Sequence, residues 1–306
     1  MSLEVGEIRS LKDRFLIRDV LSGLRRLMDD RPAKLAMGYL SFMLVIAIVG
    51  PYIAPYPYDE ILFNDAGQIL RAQPPSLMHP LGTTSTGQDV LSRIIYGVRP
   101  TMITGLLGGL IIVSLGGLVG ITAGYLGGQT DNALMRITDF IYGIPLIPFA
   151  IVLVGVFGID FFVTIFIIGA VLWRGSARVL RSKVLQIKQR PYILMTKASG
   201  ASTPYIIFKH IVPNVGSMVI LFFAMGIGYA IIAQAGLAFV GVSDPFIPSW
   251  GIMIRNAYRS GLVADAWWWS LPPGVLISTT VLSAIMLGRR FEVLSGQTDD
   301  AMLEMG

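Results

Sequence analysis

The sequence contains no cysteine and only two histidines, His79 and His210, in 306 residues. Disulfides and thiolate chemistry are therefore excluded, and a His-rich metal site is disfavoured because the two histidines lie far apart. Only 14% of the residues are charged, against about 25% in ordinary soluble domains. The apolar share is 54%. This composition is typical of a membrane protein with several spans, and we expect neither a metal nor a cofactor.

Several enzyme and carrier signatures are missing as well. The chain has no GxSxG, HExxH or GxxxxGK[ST] pattern, so we expect it neither to be an enzyme nor to hydrolyse ATP itself. Its long apolar runs hold no ionisable residue at membrane depth, which a proton-coupled carrier or a charge-selective channel needs. If the chain is a transport subunit, it has neither an ATPase motif nor an ion relay, so we expect its energy to come from another polypeptide.

Six windows of about 20 residues are apolar enough to cross a bilayer. The fourth is short before Arg174, so it must continue past Arg174 and Arg178, whose side chains would reach the headgroups. Pro145 and Pro148 should kink the third. We therefore predict an all-α, polytopic membrane protein with six transmembrane helices, at 35–54, 101–126, 140–158, 161–180, 214–241 and 268–288.

The basic residues predict the orientation, because Lys and Arg of short loops stay on the cytoplasmic side. With both termini cytoplasmic, the inner segments hold nineteen of the 24 basic residues. Apolar and basic residues alternate at 8–28, which favours an amphipathic helix on the inner leaflet over a solvated tail. The expected units are a cytoplasmic N-terminal amphipathic segment (1–33), a transmembrane domain (34–290) and a cytoplasmic tail (291–306), with external loops at 55–100 and 242–267 and a cytoplasmic loop at 174–213.

Small and aromatic residues suggest how the spans pack. Trp267, Trp268 and Trp269 begin the last span and predict an interfacial belt, with ligand stacking as the alternative. Glycines recur in the second span at a spacing that lets another helix approach closely. That helix could belong to the same subunit or to a partner across a dimer seam. The glycines are Gly105, Gly109, Gly116, Gly120, Gly124 and Gly128.

The loop at 174–213 carries eight basic residues and no acidic one, which predicts a cytoplasmic docking surface. Gly200 lies in a predicted turn, Thr203 and Pro204 predict a capped helix start, and Pro213 should end the element. A plain interfacial connector is the alternative. The candidate coupling residues are Lys197, Ala198, Ser199, Gly200, Ala201, Ser202, Thr203, Pro204, Tyr205, Ile206, Ile207, Phe208, Lys209 and Pro213, of which Tyr205 to Phe208 would form an apolar knob.

The stretch from Tyr192 to Asn214 resembles the cytoplasmic loop of binding-protein-dependent ABC importer permeases. The pattern of that loop is EAA, three residues, Gly, nine residues and then I-x-L-P. Gly200 and Pro213 occur at the matching spacing. Further matches are similar to the C-type subunit of the dipeptide/oligopeptide/nickel permeases. They are His79-Pro80-Leu81-Gly82-Thr83, Gly87-Gln88-Asp89-Val90-Leu91-Ser92-Arg93, Ala54-Pro55-Tyr56, Pro248-Ser249-Trp250-Gly251 and Pro273-Gly274.

This resemblance implies a type I ABC importer permease fold in a prokaryotic cell membrane. It also implies three kinds of partner: a homologous B-type permease, two cytoplasmic ABC ATPases and an extracytoplasmic substrate-binding protein. The expected function is import of di- or oligopeptides by alternating access. An oligosaccharide cargo, or a secondary carrier or channel, is the alternative. The chain departs from the family at Leu194-Met195-Thr196, in place of EAA, and at Gln234, a possible pathway residue in place of Glu.

Overall fold

The structure, a computed structural model, describes residues 27–303, with side chains up to 294. The predicted amphipathic segment at 8–28 lies outside these residues, except for its last two. The described part is helical, with two isolated β-bridges, which confirms the all-α prediction. Its helices are α1 (Arg31–Ile53), α2 (Val90–Leu126), α3 (Gly128–Tyr142), α4 (Leu146–Phe157), α5 (Phe161–Leu172), α6 (Arg174–Lys188), α7 (Pro191–Ala198), α8 (Thr203–Ile206), α9 (Val212–Asn214), α10 (Gly216–Val240), α11 (Trp250–Arg259) and α12 (Trp267–Leu303).

Within residues 27–303, five helical stretches are long and apolar enough to cross a membrane, and there is a sixth if a bent pair counts as one. The fourth predicted span runs on past Arg174, as expected, because α5 and α6 form one 28-residue stretch. The third is the bent pair: α3 and α4 meet at 89° across residues 143–145. Pro145, the residue that caps α4, restricts the preceding backbone, so the predicted kink is a complete break.

α2 begins eleven residues before the predicted span, at Val90 instead of 101. Its start is fixed by Asp89, whose Oδ2 accepts hydrogen bonds from the Ser92 backbone N–H (2.8 Å) and hydroxyl (2.7 Å). His79 Nδ1 lies 3.1 Å from Asp89 Oδ1 and completes a buried cluster. Arg93 and Arg99 lower the mean hydropathy of this first part of the helix, so a search for apolar windows does not include it. The non-helical segment between α1 and α2 is therefore shorter than the loop predicted at 55–100.

The glycines of α2 receive other helices of the same chain. A Cβ added at Gly105 or Gly109 would lie 2.9 Å from atoms of Ile227 in α10. Those added at Gly116, Gly120 and Gly124 would collide with α6, mainly at Ser176, at the Ala177 carbonyl and at Val184. The close approach expected of these small residues is thus made within the subunit, while a Cβ on Gly128 meets no atom within 4 Å.

The first and last spans, α1 and α12, pack side by side and run in opposite directions. Arg290 Nη1 lies 3.5 Å from Asp30 Oδ2, just before α1, and Tyr39 shares a 3.0 Å hydrogen bond with Thr280. Gly50, near the other end of α1, contacts Ile95 in the first turns of α2. The start of α1, the end of α2 and this part of α12 therefore lie at one end of the bundle.

At the opposite end, tryptophans attach the segments before α2 and α11 to the bundle. Trp250 is fully buried and donates from Nε1 to the Ile94 carbonyl (3.1 Å). Trp268 Nε1 lies 3.4 Å from the Thr83 carbonyl. Trp268 and Trp269 are buried and only Trp267 is half-exposed. Two of the three tryptophans are therefore not the exposed interfacial rings that the sequence predicts. Trp268 is covered by the segment before α2, at Gly82 and Thr83, and Trp269 lies in the apolar core.

Candidate coupling surface

Three arginines of α6 hold the broken third span. Arg174 donates from Nη1 to the carbonyls of Ile141 (2.7 Å) and Ile144 (3.3 Å), which flank the break. Arg178 binds Asp139 at 2.6 Å, and its guanidinium lies 4.2 Å from the centre of the Tyr142 ring. The two side chains were expected to reach lipid headgroups. Arg174 satisfies carbonyls that the break leaves open, and Arg178 pairs with the Asp139 carboxylate. The sequence pattern does not reveal these partners, and contact with headgroups stays a prediction.

The third contact is a two-pronged ion pair between α6 and α3. Arg181 donates from Nε to Asp131 Oδ1 (2.5 Å) and from Nη2 to Oδ2 (2.6 Å). The planar guanidinium matches the carboxylate, so the pair fixes orientation as well as distance. Part of the predicted docking loop, from Arg174 to Lys188, is therefore a helix that braces the third span. The surface available to a partner lies further along the chain.

The turn at Gly200 closes α7 with a Schellman motif. Gly200 has φ of +81°, in the left-handed region that glycine occupies without strain. Its N–H donates to the Lys197 carbonyl (3.0 Å), and that of Ala201 donates to the Thr196 carbonyl (3.3 Å). These two bonds satisfy carbonyls that the helix end would otherwise leave open. The turn predicted from the sequence is therefore present at Gly200.

Buried isoleucines anchor this helix–turn–helix to α6. Ile193, Ile206 and Ile211 are each at most 1% exposed, and they form one apolar cluster with Leu180, Val184, Ile187 and Tyr125. The cluster joins the segment to the ends of α2 and α6. α7 and α8 are thus packed firmly against those helices.

The exposed apolar side chains of this segment differ from the predicted knob. Tyr205 is 44% and Phe208 is 74% exposed, whereas Ile206 is buried and Ile207 packs against the anchoring cluster. Leu194 and Met195 add exposed apolar surface on α7, at 53% and 71%. In the sequence, these two residues are distinguished only by their position, because they stand where the resembled family has the first two residues of its EAA motif. We call Leu194, Met195, Tyr205 and Phe208 the apolar knob below.

The start and end of the second helix also differ from the sequence-based expectation. The residue that caps α8 is Ser202, not Thr203, and its hydroxyl makes no capping hydrogen bond. Pro213 does not end the element. A π-helical turn at Ile207–Ile211 leads into α9, which contains Pro213, and α10 follows at Gly216. The wider turn shifts the hydrogen-bond register just before a residue that has no N–H to donate.

Positive charge surrounds the apolar knob. Arg190 and Lys197 are exposed, and Lys209 Nζ lies 4.9 Å from the centre of the Tyr205 ring. The rings of Tyr192 and Tyr205 lie 6.2 and 5.7 Å from that of His210. Since residues 174–213 contain no acid, the surface favours an acidic partner with an apolar recess.

Gln234 lies away from this surface, in the interior of the chain. It is 3% exposed, and its Nε2 lies 3.4 Å from the hydroxyls of both Ser243 and Ser249. These contacts tie α10 to the segment that precedes α11. The chain's own residues therefore cover the Gln234 amide, and its place on a pathway stays a prediction.

Comparison with known proteins identifies two family matches. Residues 116–292 match the family described as binding-protein-dependent transport system inner membrane component. Residues 18–75 match the N-terminal TM domain of oligopeptide transport permease C. The first match covers all of the structure from the middle of α2 into α12, including the coupling segment.

Curated relatives match over most of the chain. The dipeptide transport system permease protein DppC of Bacillus subtilis (strain 168) is 34% identical over 266 residues, which cover 86% of this chain and 81% of the relative. The glutathione transport system permease protein GsiD of Shigella flexneri serotype 5b (strain 8401) is 35% identical, covering 86% of both. The oligopeptide transport system permease protein OppC of Escherichia coli (strain K12) is 32% identical, covering 83% of both.

Proposed function

This chain belongs to the family of binding-protein-dependent transport system inner membrane components, and we propose that it forms half of the pathway of an ATP-driven importer of di- and oligopeptides. The observation that carries this proposal is the anchored helix–turn–helix with its exposed apolar knob, within a chain that matches permease relatives over 86% of its length. Several exposed apolar side chains close together, with a basic rim around them, are typical of an interaction site.

We propose that the apolar knob and its basic rim dock on a cytoplasmic ATPase. Lys197 to Lys209, with Pro213 behind them, would enter a groove of that partner. Gly200 would hold α7 and α8 at a fixed angle, while Phe208 and Tyr205 fill the groove. Because Ile193, Ile206 and Ile211 lock the segment to α6, a displacement of the groove would move α6 as a rigid body.

The path of this movement into the membrane runs through the arginines of α6. Arg174, Arg178 and Arg181 connect α6 to α3 and to the break before α4. ATP binding would bring two ATPases together and open the pathway outward, and hydrolysis would return it inward. The role of the chain is thus mechanical, and the chemical step occurs on the ATPases.

The orientation and the remaining partners follow from the same proposal. The coupling surface would be cytoplasmic, as would both termini, in agreement with the nineteen basic residues of the inner segments. The Asp30–Arg290 contact is consistent with this, because it brings the start of α1 and the end of the last span together. A homologous B-type permease would supply the other half of the pathway, and an extracytoplasmic binding protein would deliver cargo.

Peptides are the proposed cargo because the relatives named above are permeases for dipeptides, oligopeptides and glutathione. Nothing in the structure favours an oligosaccharide. The experiment must therefore distinguish uptake of a peptide from uptake of a sugar.

The test is to purify the tagged chain with the proteins that accompany it and to reconstitute the complex in proteoliposomes with its binding protein. We expect two ATPases and a second permease, ATP hydrolysis stimulated by the loaded binding protein, and uptake of tri-alanine but not of maltotriose. The control contains ADP in place of ATP. Uptake driven by an ion gradient without ATPases would refute the proposal, and uptake of maltotriose alone would refute the cargo.

A further inference from the structure

Arg255, in the middle of α11, carries a buried donor without an acceptor. Its Nε is inaccessible to water and forms no hydrogen bond within residues 27–294. The ion pairs that arginines make in this part of the chain involve Arg178, Arg181 and Arg290 instead. Arg255 is therefore a cation that no carboxylate of the described residues neutralises.

Arg93 shows what a structural arginine looks like in the same protein. It is 7% exposed, and its Nη1 donates to the Tyr58 carbonyl (3.0 Å) and to Gln88 Oε1 (2.7 Å). A buried guanidinium with a structural role is thus paired with hydrogen-bond acceptors of the same chain. Arg255 has no such partners.

The backbone at the end of α10 makes room for the Arg255 guanidinium. Gly241 ends that helix with φ of +101°, and a Cβ there would lie 2.8 Å from Arg255 Nη2. Asp244, the acid that follows Gly241 in the sequence, caps its own turn by accepting from the Phe246 N–H (2.9 Å). Glycine therefore allows the guanidinium to lie against the turn, and the nearby carboxylate is engaged there.

A second cation lies one turn further along α11. Burial lowers the pKa of Arg255 from its usual value, and the charge of Arg259 lowers the pKa further. Both effects disfavour the positive charge of Arg255, and a bound anion would relieve both. The two arginines share one face of the helix because they are four positions apart.

Aromatic rings border the two arginines. Tyr258, on the same face of α11, is 64% exposed, and Phe239 at the end of α10 is 41% exposed. Their ring centres are 5.2 Å apart. α10 itself contains no charged residue. A solute that approaches its outer end therefore meets cationic groups there, next to apolar surface.

We propose that Arg255 and Arg259 form an oxyanion site that binds the carboxylate of an incoming solute, while Tyr258 and Phe239 contact its apolar part. A guanidinium pairs with a carboxylate through hydrogen bonds from its N–H groups. Arg255 is half-buried and its Nε is covered, so the Nη groups would make these bonds. The location of the site on the outer face, and its role for cargo, rest on the proposed function.

The test measures how fast phenylglyoxal modifies Arg255 in the purified full chain, in a detergent free of phospholipid, by mass spectrometry. The probes are N-acetylphenylalanine and its C-terminal amide, which differ in charge alone. We expect the acid to slow modification of Arg255 by about fivefold or more and the amide to leave it unchanged. Arg136, exposed and distant on α3, is the internal control. The R259Q variant should lose most of the protection.

Equal protection by acid and amide, no protection, or equal protection of Arg136 would overturn the site. A third arm adds phosphatidylglycerol in place of the acid, and protection by this lipid alone would assign Arg255 to headgroup phosphates instead. None of these measurements needs ATPase, binding protein or transport. A failure of peptide uptake in the proposed function is thereby kept separate from a failure of the oxyanion site.

Discussion

Arg181 grips Asp131 with two hydrogen bonds, of 2.5 and 2.6 Å, across fifty residues of sequence. The side chains are 31% and 13% exposed, so solvent screens the pair only in part. The contact ties α3 to α6 at the level where the coupling segment begins. It is the most direct link between the proposed docking surface and the broken third span.

Replacement of Asp131 by Asn should lower the stability of the purified chain by about 1–2 kcal/mol, because the amide keeps one acceptor but loses the charge. Thermal unfolding in detergent would measure it. A double-mutant cycle with R181Q should give a coupling energy of about 1 kcal/mol. If the two single effects simply add, the pair does not hold α3 to α6.

Replacement of Gly120 by Ala should cost about 1–3 kcal/mol, because the new methyl group would collide with the Ala177 backbone. The matched control is G117A on the same helix, where a Cβ meets no atom within 4 Å. That variant should be neutral or slightly stabilising, since Ala favours helix over Gly. Equal thermal stabilities of the two variants would contradict the close contact of α2 and α6.

Replacement of Asp89 by Ala should destabilise the external end by about 2–3 kcal/mol, because it leaves the Ser92 N–H, the Ser92 hydroxyl and His79 without their acceptor. We expect faster tryptic cleavage at Arg71 in the segment before α2. D65A, at an exposed position in the same segment, is the control. Unchanged cleavage in D89A would show that this cap does not hold the segment in place.

Replacement of Phe208 by Ala should leave stability within about 0.5 kcal/mol, since the ring is 74% exposed. In the reconstituted complex, however, it should reduce ATP hydrolysis stimulated by the binding protein about tenfold or more. F42A, which removes a 57% exposed ring from α1, should preserve the stimulation. Full stimulation in F208A would remove Phe208 from the coupling surface.

Much of the fold could be predicted from the sequence, because apolar runs indicate membrane spans and glycine indicates turns. The windows found the stretches that became α1, α2, α5 with α6, α10 and α12. Gly200 was predicted in a turn and has a left-handed backbone there. These features depend on neighbouring residues alone.

Features that depend on distant contacts could not be predicted in the same way. Ile206 and Phe208 look alike in sequence, yet one is buried and the other is not, because α6 supplies the cover. Trp268 was assigned to the lipid interface, whereas the Thr83 carbonyl and the external segment enclose it. The charges of Arg174 and Arg178 predicted a topology, but their partners became apparent only from the break before α4.

The 89° break between α3 and α4 limits the number of independent motions in this protein. Arg174 is bonded to carbonyls on both sides of residue 143, so the corner cannot straighten unless the arginine releases them. Straightening would then expose a guanidinium with nothing to bind, in surroundings where lost hydrogen bonds are expensive. Arg174 therefore ties the corner to the α5–α6 rod, and we expect the two to tilt together.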